Sequence, residues 1–159
     1  MFLVIPDVKG ETEDGVYKKD KGIDVLAWSW GMSQSGSFHA GSGGGAGKAN
    51  FQDISITKWV DSSSANLMLY CSQGEHYKEA KLIVRKAGGK KPLEYIKIHM
   101  KKVLVTSVST GGSGGEDQLT ENVTLNFAQV KYEYTRQKED GTGDTPMEYA
   151  WNISANEPG

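Results

Sequence analysis

The stretch Ile23-Asp-Val-Leu-Ala-Trp-Ser-Trp-Gly31 runs directly into Met32-Ser-Gln-Ser-Gly-Ser-Phe-His-Ala-Gly-Ser-Gly-Gly-Gly-Ala-Gly-Lys48. Its first half alternates residue by residue, the period of a β-strand whose two faces meet different surroundings. Leu26, Trp28 and Trp30 share one face and are bulky enough to anchor a core. Val25, Ala27, Ser29 and Gly31 share the other and shrink to almost nothing, as a face does when another surface or a passing molecule must come close. Val25, Ala27 and Ser29 are therefore candidate contact residues outside the core. The second half is a long glycine-serine loop with no core of its own, and structureless loops of that length in compact proteins are functional or disordered. Phe38, His39, Lys48, Asn50 and Phe51 place aromatic, charged and hydrogen-bonding groups at its ends, and Gly43, Gly44 and Gly45 let its backbone follow a curved surface. These residues are the candidate docking surface of the loop.

The totals set outer bounds. A chain of 159 residues buries a genuine core without staples, and one domain spanning residues 1–159 is expected. A formal charge of −2 with interspersed lysine and glutamate is not the basic excess of a nucleic-acid binder. Cys71 is the single cysteine, which excludes an intramolecular disulfide and a multi-cysteine metal site. No run approaches the roughly 20 apolar residues that span a bilayer. Met1-Phe-Leu-Val-Ile-Pro6 is short, lacks a basic leader and is broken by proline, so it reads as a first strand rather than a signal peptide.

The remaining chain is strand-rich, with glycine-containing breaks. After Phe2–Ile5 the excursion from Lys9 to Gly22 is too charged for a core. Strand character resumes over Asn50–Val60, where Ile54 and Ile56 share a face with Gln52 and Lys58. Asp61-Ser-Ser-Ser64 offers helix N-caps, Ala65–Gln73 has helical composition with Leu67, Met68 and Cys71 on one stripe, and Gly74 suits a left-handed C-terminus. Lys81–Lys86 and Glu94–Met100 flank a hairpin loop, and Lys102–Ser109 continues the second strand. In the strand that follows, Glu121, Val123, Leu125 and Phe127 hold one parity while Val130, Tyr132 and Tyr134 hold the other. The shift near Ala128-Gln129 predicts a β-bulge or a strand that leaves one sheet for another. Met147, Tyr149, Trp151 and Ile153 are expected to face inward together. These elements make a mainly β fold: a two-sheet, barrel-like sandwich with one flanking α-helix and a long extended loop.

Chemistry is harder to find. Gly43-Gly-Gly-Ala-Gly-Lys48 resembles a phosphate loop but has Ser42 for the first glycine and Ala49 for the magnesium-ligating hydroxyl. A strand rather than a helix follows it, so no phosphate-binding N-terminus is expected. His39, His76 and His99 lie in separate elements without carboxylate or cysteine at ligand spacing. No serine sits in a nucleophile elbow. Asn122-Val-Thr and Asn152-Ile-Ser match glycosylation acceptors but fall inside predicted strands. Trp28, Trp30, Trp59 and Trp151 could form the platform of a small-ligand or glycan-binding β-sandwich, the alternative from another functional class.

Further blocks extend the signal: Asn66-Leu-Met-Leu69, Glu79-Ala-Lys-Leu-Ile-Val-Arg-Lys-Ala-Gly-Gly89, Val108 through Val130, and the ending Glu148-Tyr-Ala-Trp-Asn-Ile153. In order and spacing, the whole set resembles the haemolysin-coregulated protein family, the ring-forming tube subunit of bacterial type VI secretion systems. The resemblance implies a barrel-like sandwich with one flanking helix, and a structural protein without enzymatic activity or cofactor. It implies homohexameric rings stacked inside a contractile sheath, capped by a spike protein of the valine-glycine-repeat family and carrying effector proteins. It also implies residence in the bacterial cytoplasm before contraction and later release outside the cell or into a target cell, without a cleaved signal peptide. Neither nucleic-acid binding nor membrane insertion is part of the pattern. One sheet of each subunit lines the family's channel, which makes Ser29, Ala27 and Val25 the candidate lumen contacts and the loop from Phe38 to Phe51 the candidate stacking surface.

Overall fold

The structure, a computed structural model, describes residues 1–36, 47–86 and 91–159. In chain order these form β1 (Phe2–Val4), β2 (Ile23–Ser29), β3 (Met32–Ser33), β4 (Asn50–Phe51), β5 (Ile54–Trp59), α1 (Ser64–Gln73), β6 (His76–Lys86), β7 (Leu93–Thr110), β8 (Thr120–Tyr134), β9 (Met147–Asn152) and β10 (Glu157–Pro158). The main sheet runs β10-β9-β8-β5-β2-β1-β6-β7, and β7 also pairs with β8, so the six strands from β8 round to β7 close into a barrel. Closure satisfies strand edges that would otherwise stay open. The mainly β architecture with one flanking helix read from the sequence is the one observed.

Alternation explains the core. Ile54, Ile56, Val123 and Leu125 are sealed from solvent, and each is opposed across the β5–β8 ladder by another of the set. Leu3, Ile5, Val8, Ile23, Leu82, Ile98, Met100, Val103 and Val130 complete the same cluster. β7 and β8 are long enough to serve both sides of the sandwich. Residues 120–125 of β8 pair with β5, whereas residues 129–134 pair with β9. The parity shift near Ala128 is therefore a change of partner, because β7 and β8 stay in step across it (Lys101 opposite Gln129, Val103 opposite Phe127). Lys102 of β7 takes φ 53 at this turn-over point, a left-handed backbone that few side chains adopt. Tyr149, Trp151 and Ile153 pack on the core as expected, but Met147 at the strand start is 70 % exposed.

Strand β2 departs from strict alternation. Val25 is opposite Lys58 and Ala27 is opposite Thr57, so Leu26 is an extra residue, a β-bulge. A bulge inverts the faces that follow it. Ile23 and Val25 therefore point into the core before it, while Trp28 and Trp30 pack against the core after it. Strict alternation put Val25 outside and Leu26 inside. Val25 is instead 5 % exposed and Leu26 39 % exposed.

Two local segments brace the barrel. Helix α1 ends at Gly74 with φ 66, the left-handed C-terminal geometry that costs glycine nothing. Leu67 is buried in the core and Cys71 half-buried against it, but Met68 points outward, so the apolar stripe is narrower than its composition implied. The excursion from Lys9 to Gly22 is less peripheral than its charge suggested, since Thr12 and Tyr17 are buried. Tyr17 stacks on Phe2 with centroids 4.9 Å apart, and the Arg85 guanidinium lies over both rings. Arg85 also bonds Asp14 at 2.7 Å, and the Tyr17 hydroxyl donates to Glu94. Gly10 passes so close to the returning chain that a Cβ there would lie 2.3 Å from the Gly22 carbonyl oxygen.

Candidate functional site

The outward parity of β2, β5, β8 and β7 makes one continuous face. Its rows follow from the register: Ser29 faces Ser55, which faces Thr124, which faces Ser107; Ala27 faces Thr57, which faces Asn122, which faces Ser109. Every side chain in these rows is small or medium in size, none is ionisable, and all but Ala27 carry a hydroxyl or amide. The Thr57 hydroxyl donates to Asn122 Oδ1 at 2.8 Å, and the Thr106 and Thr124 hydroxyls lie 2.7 Å apart. At one end Asp53 accepts from Thr106 Oγ1 at 2.6 Å and from Asn126 Nδ2 at 2.8 Å, so both of its oxygens are engaged.

Ser29 and Ala27, expected on an outer face, lie on this one. Val25 does not, for the reason given by the bulge. Ser55, Thr57, Asn122, Thr124, Ser107 and Ser109 were not singled out from the sequence. For Ser55, Thr57, Asn122 and Thr124 the signal was present, because each adjoins an apolar residue of the alternating set, Ile54, Ile56, Val123 or Leu125.

Two flanks of this face lack a second strand among the described residues. Leu26 is unpaired on the bulge and residues 27–29 of β2 pair with β5 alone, while over residues 105–110 β7 pairs with β8 alone. Helix α1 packs beside β7. Exposed apolar side chains stand at both places: Leu26 on the bulge, and Met68 and Leu69 on the helix.

The base of the glycine-serine loop is ordered by β3 pairing with β4, where Met32 faces Phe51 and Ser33 faces Asn50. Trp30 Nε1 donates to the Gln52 carbonyl at 3.0 Å, and Gln52 N donates to the Gly31 carbonyl at 2.9 Å. Lys48, Asn50 and Phe51 line a cleft of about 440 Å³ together with Lys102, Asn126 and Ser154. Strand β4 follows Lys48, not a helix. Phe38, His39, Gly43, Gly44 and Gly45 lie outside the described residues.

The other candidates, Asn122 aside, lie away from this face. On the opposite half of β7 and β8 the outward residues are charged, and His99, Lys101, Lys131, Glu133 and Glu148 line a cavity of about 570 Å³. His99 Nε2 is 2.6 Å from Glu133. Burial disfavours the charged form of Glu133, but its bond to His99 and the nearby Lys131 outweigh this and hold its carboxyl below the usual range. The bond from Lys131 to Glu148, 2.9 Å long, raises the Lys131 ammonium above its ordinary value. His76 is exposed at the start of β6, apart from His99. Of the four tryptophans, Trp28, Trp30 and Trp151 pack on the core, with Trp30 meeting Phe127 at 6.0 Å, and Trp59 is half-buried at the end of β5. Asn122 and Asn152 both lie in strands, as their flanking sequence predicted.

The interior holds a polar knot. Lys58 and Glu121 are wholly buried yet directly opposed on β5 and β8, with Nζ 2.7 Å from Oε1. Lys58 Nζ also bonds Asp61 Oδ1 at 2.9 Å, the Trp59 carbonyl at 2.6 Å and Ser64 Oγ at 3.3 Å. Ser64 Oγ donates to Glu121 Oε1 at 2.6 Å, and Asp61 N donates to Ser64 Oγ at 3.1 Å. Strand is thereby tied to strand, and both to the first turn of α1. Both charges sat on apolar parities in the sequence, but nothing local identified them as partners.

Comparison with known proteins gives a consistent result. A model of the family described as "Type VI secretion system effector, Hcp" matches residues 2–134. Protein hcp1 of Pseudomonas aeruginosa is 62% identical over 157 residues, covering 98% of this chain and 96% of the relative. The crystal structure of Hcp1 from Salmonella typhimurium is similar with TM-score 0.80 and 35% identity, over 99% of this chain and 96% of the other. A structure described as a type six secretion system protein reaches TM-score 0.89 at 26% identity, over 98% and 96% of the two chains. A type VI secretion system effector from Yersinia pestis reaches 0.75 at 28% identity, over 95% and 98%.

Proposed function

Because the chain belongs to the Hcp family of type VI secretion proteins, we propose that it is the building block of the secretion tube, a structural subunit rather than an enzyme. It closes head-to-tail into homohexameric rings, and the rings stack into a tube that is expelled from the cell. A ring needs a heterologous contact whose rotation closes. The observation that carries this reading is the face of β2, β5, β8 and β7, free of ionisable side chains along its rows and bounded on both sides by flanks that lack a second strand among the described residues. The open flank of β2 with Leu26 in one subunit meets the β7 and α1 flank of the next, with Met68 and Leu69. The face so bounded then lines the channel, and Ser29 and Ala27 lie among the residues that touch cargo.

Stacking of ring on ring falls to the loop that begins and ends at the β3–β4 ribbon, with Lys48, Asn50 and Phe51 at its base and Phe38, His39 and Gly43 to Gly45 within it. The partners outside the ring are a spike of the valine-glycine-repeat family, a contractile sheath and effector proteins in the lumen. The subunit waits in the bacterial cytoplasm and leaves it when the sheath contracts. Imaging the purified protein tests the reading: closed rings with an open centre are expected, and compact globules at micromolar concentration would defeat it.

A further inference from the structure

Resting on the tube reading above, we infer that Asn122 is the principal cargo-reading residue of the channel face. The cargo it fits is a folded protein that presents uncharged hydrogen-bonding groups (hydroxyls, amides and open carbonyls) rather than a charged patch. Asn122 is exposed, and its amide is held from one side only, because its cross-strand partner Thr57 donates to Oδ1 at 2.8 Å. That bond engages Oδ1 and leaves both N–H groups of Nδ2 without a partner among the described residues. A donor pair exposed in this way is solvated in the free subunit and open to an acceptor from outside it.

The surroundings specify the acceptor's character. The same two strands change chemistry along their length. On one side of the turn-over at Lys102 and Ala128 the outward groups include Lys97, His99, Lys101, Lys131 and Glu133; on the other they include Thr106, Ser107, Ser109, Asn122, Thr124 and Asn126. Around Asn122 the hydroxyls of Ser29, Ser55, Ser107 and Ser109 have no side-chain partner among the described residues, whereas Thr106 pairs with Thr124 and donates to Asp53, whose two oxygens are both engaged. Along its rows the face has no ionisable side chain, and the carboxylate at their end, Asp53, is half-buried under two neutral donors, so the face reads a partner by hydrogen bonds more than by Coulomb attraction. It selects through hydrogen bonds that replace water, each individually weak. Repeated around a ring, such contacts add up by multivalency without any one holding the cargo fast.

The test uses full-length rings, verified by particle mass, and one small folded probe protein in three versions, with a face rich in serine, threonine and asparagine, in lysine, or in glutamate. Wild-type rings are expected to retain the uncharged version best, and to keep it between low salt and about 0.5 M salt, where screening shortens charge interactions to a few ångströms. Asn122→Asp, which keeps the shape but removes the donors and adds a charge, should lower retention of that probe about tenfold. It should also begin to hold the lysine-rich version in a salt-sensitive way. Thr57→Val, which frees the amide without charging it, should lower retention by a smaller factor. Preference of wild-type rings for a charged probe, retention of none of the three, or undiminished retention of the uncharged probe by both variants would each overturn the inference. A chain that never assembles would instead defeat the tube reading beneath it.

Discussion

Lys58 is surrounded by the oxygens of Glu121, Asp61, Ser64 and Trp59, with no solvent access. Burying a pair of charges gains little over a well-packed apolar pair, but removing one partner strands the other in a low-dielectric interior. Lys58→Met is therefore expected to cost about 3–5 kcal/mol in chemical denaturation, and the double change Lys58→Met with Glu121→Leu much less than the sum of the two single changes. Strictly additive losses would remove the ion pair from the account. Ser29 poses the opposite case, since it is exposed and touches no core. Ser29→Gln should leave denaturation midpoint and ring mass unchanged while reducing retention of a cargo that rides in the channel. A subunit that unfolds on this change would show that the face is part of the packing.

Among elements, the segment from Lys9 to Gly22 illustrates how a charged stretch is held. Burial works against the Asp14 carboxylate, but the amides of Val16 and Tyr17 and the Arg85 guanidinium overcome this and bring its pKa below the ordinary value. A carboxyl with a depressed folded pKa contributes stability above its unfolded value near 4, and that contribution is lost as pH falls through the folded value. Asp14→Asn should therefore lower stability at neutral pH and flatten the acid limb of the stability curve. An acid limb identical to wild type would mean that the clasp adds nothing. The bulge at Leu26 belongs to this scale as well. Both of its neighbours on β2 were legible as strand residues, yet a single inserted residue decided which of them entered the core.

For the whole molecule, the exposed Leu26 and the α1 pair Met68 and Leu69 mark the flanks assigned to ring closure. Leu26→Asp should leave the subunit cooperatively folded and shift particle mass from ring to monomer, because a charge at an apolar contact between subunits is desolvated without a partner. A ring of undiminished mass would move the contact elsewhere. Removing residues 41–45 should spare both fold and ring while weakening ring-on-ring association in sedimentation, since those glycines contribute little apolar surface. Loss of folding in the deletion would assign the loop to the barrel and end its role in stacking.

Local pattern determined much of this protein. Alternation in β5 and β8, the cap at Gly74 and the strand content are written in neighbouring residues, because side-chain period and backbone preference are short-range properties. The long ordered blocks carried the family for the same reason, as similarity accumulates along the chain. The faces of β2, the pairing of Lys58 with Glu121 and the assembly of Ser29, Thr57, Asn122 and Ser109 into one surface were decided only in three dimensions. Register depends on which strand lies alongside and where a residue is inserted between them. A buried charge is tolerable only beside a partner 63 residues away in the chain, a distance over which no local pattern reaches.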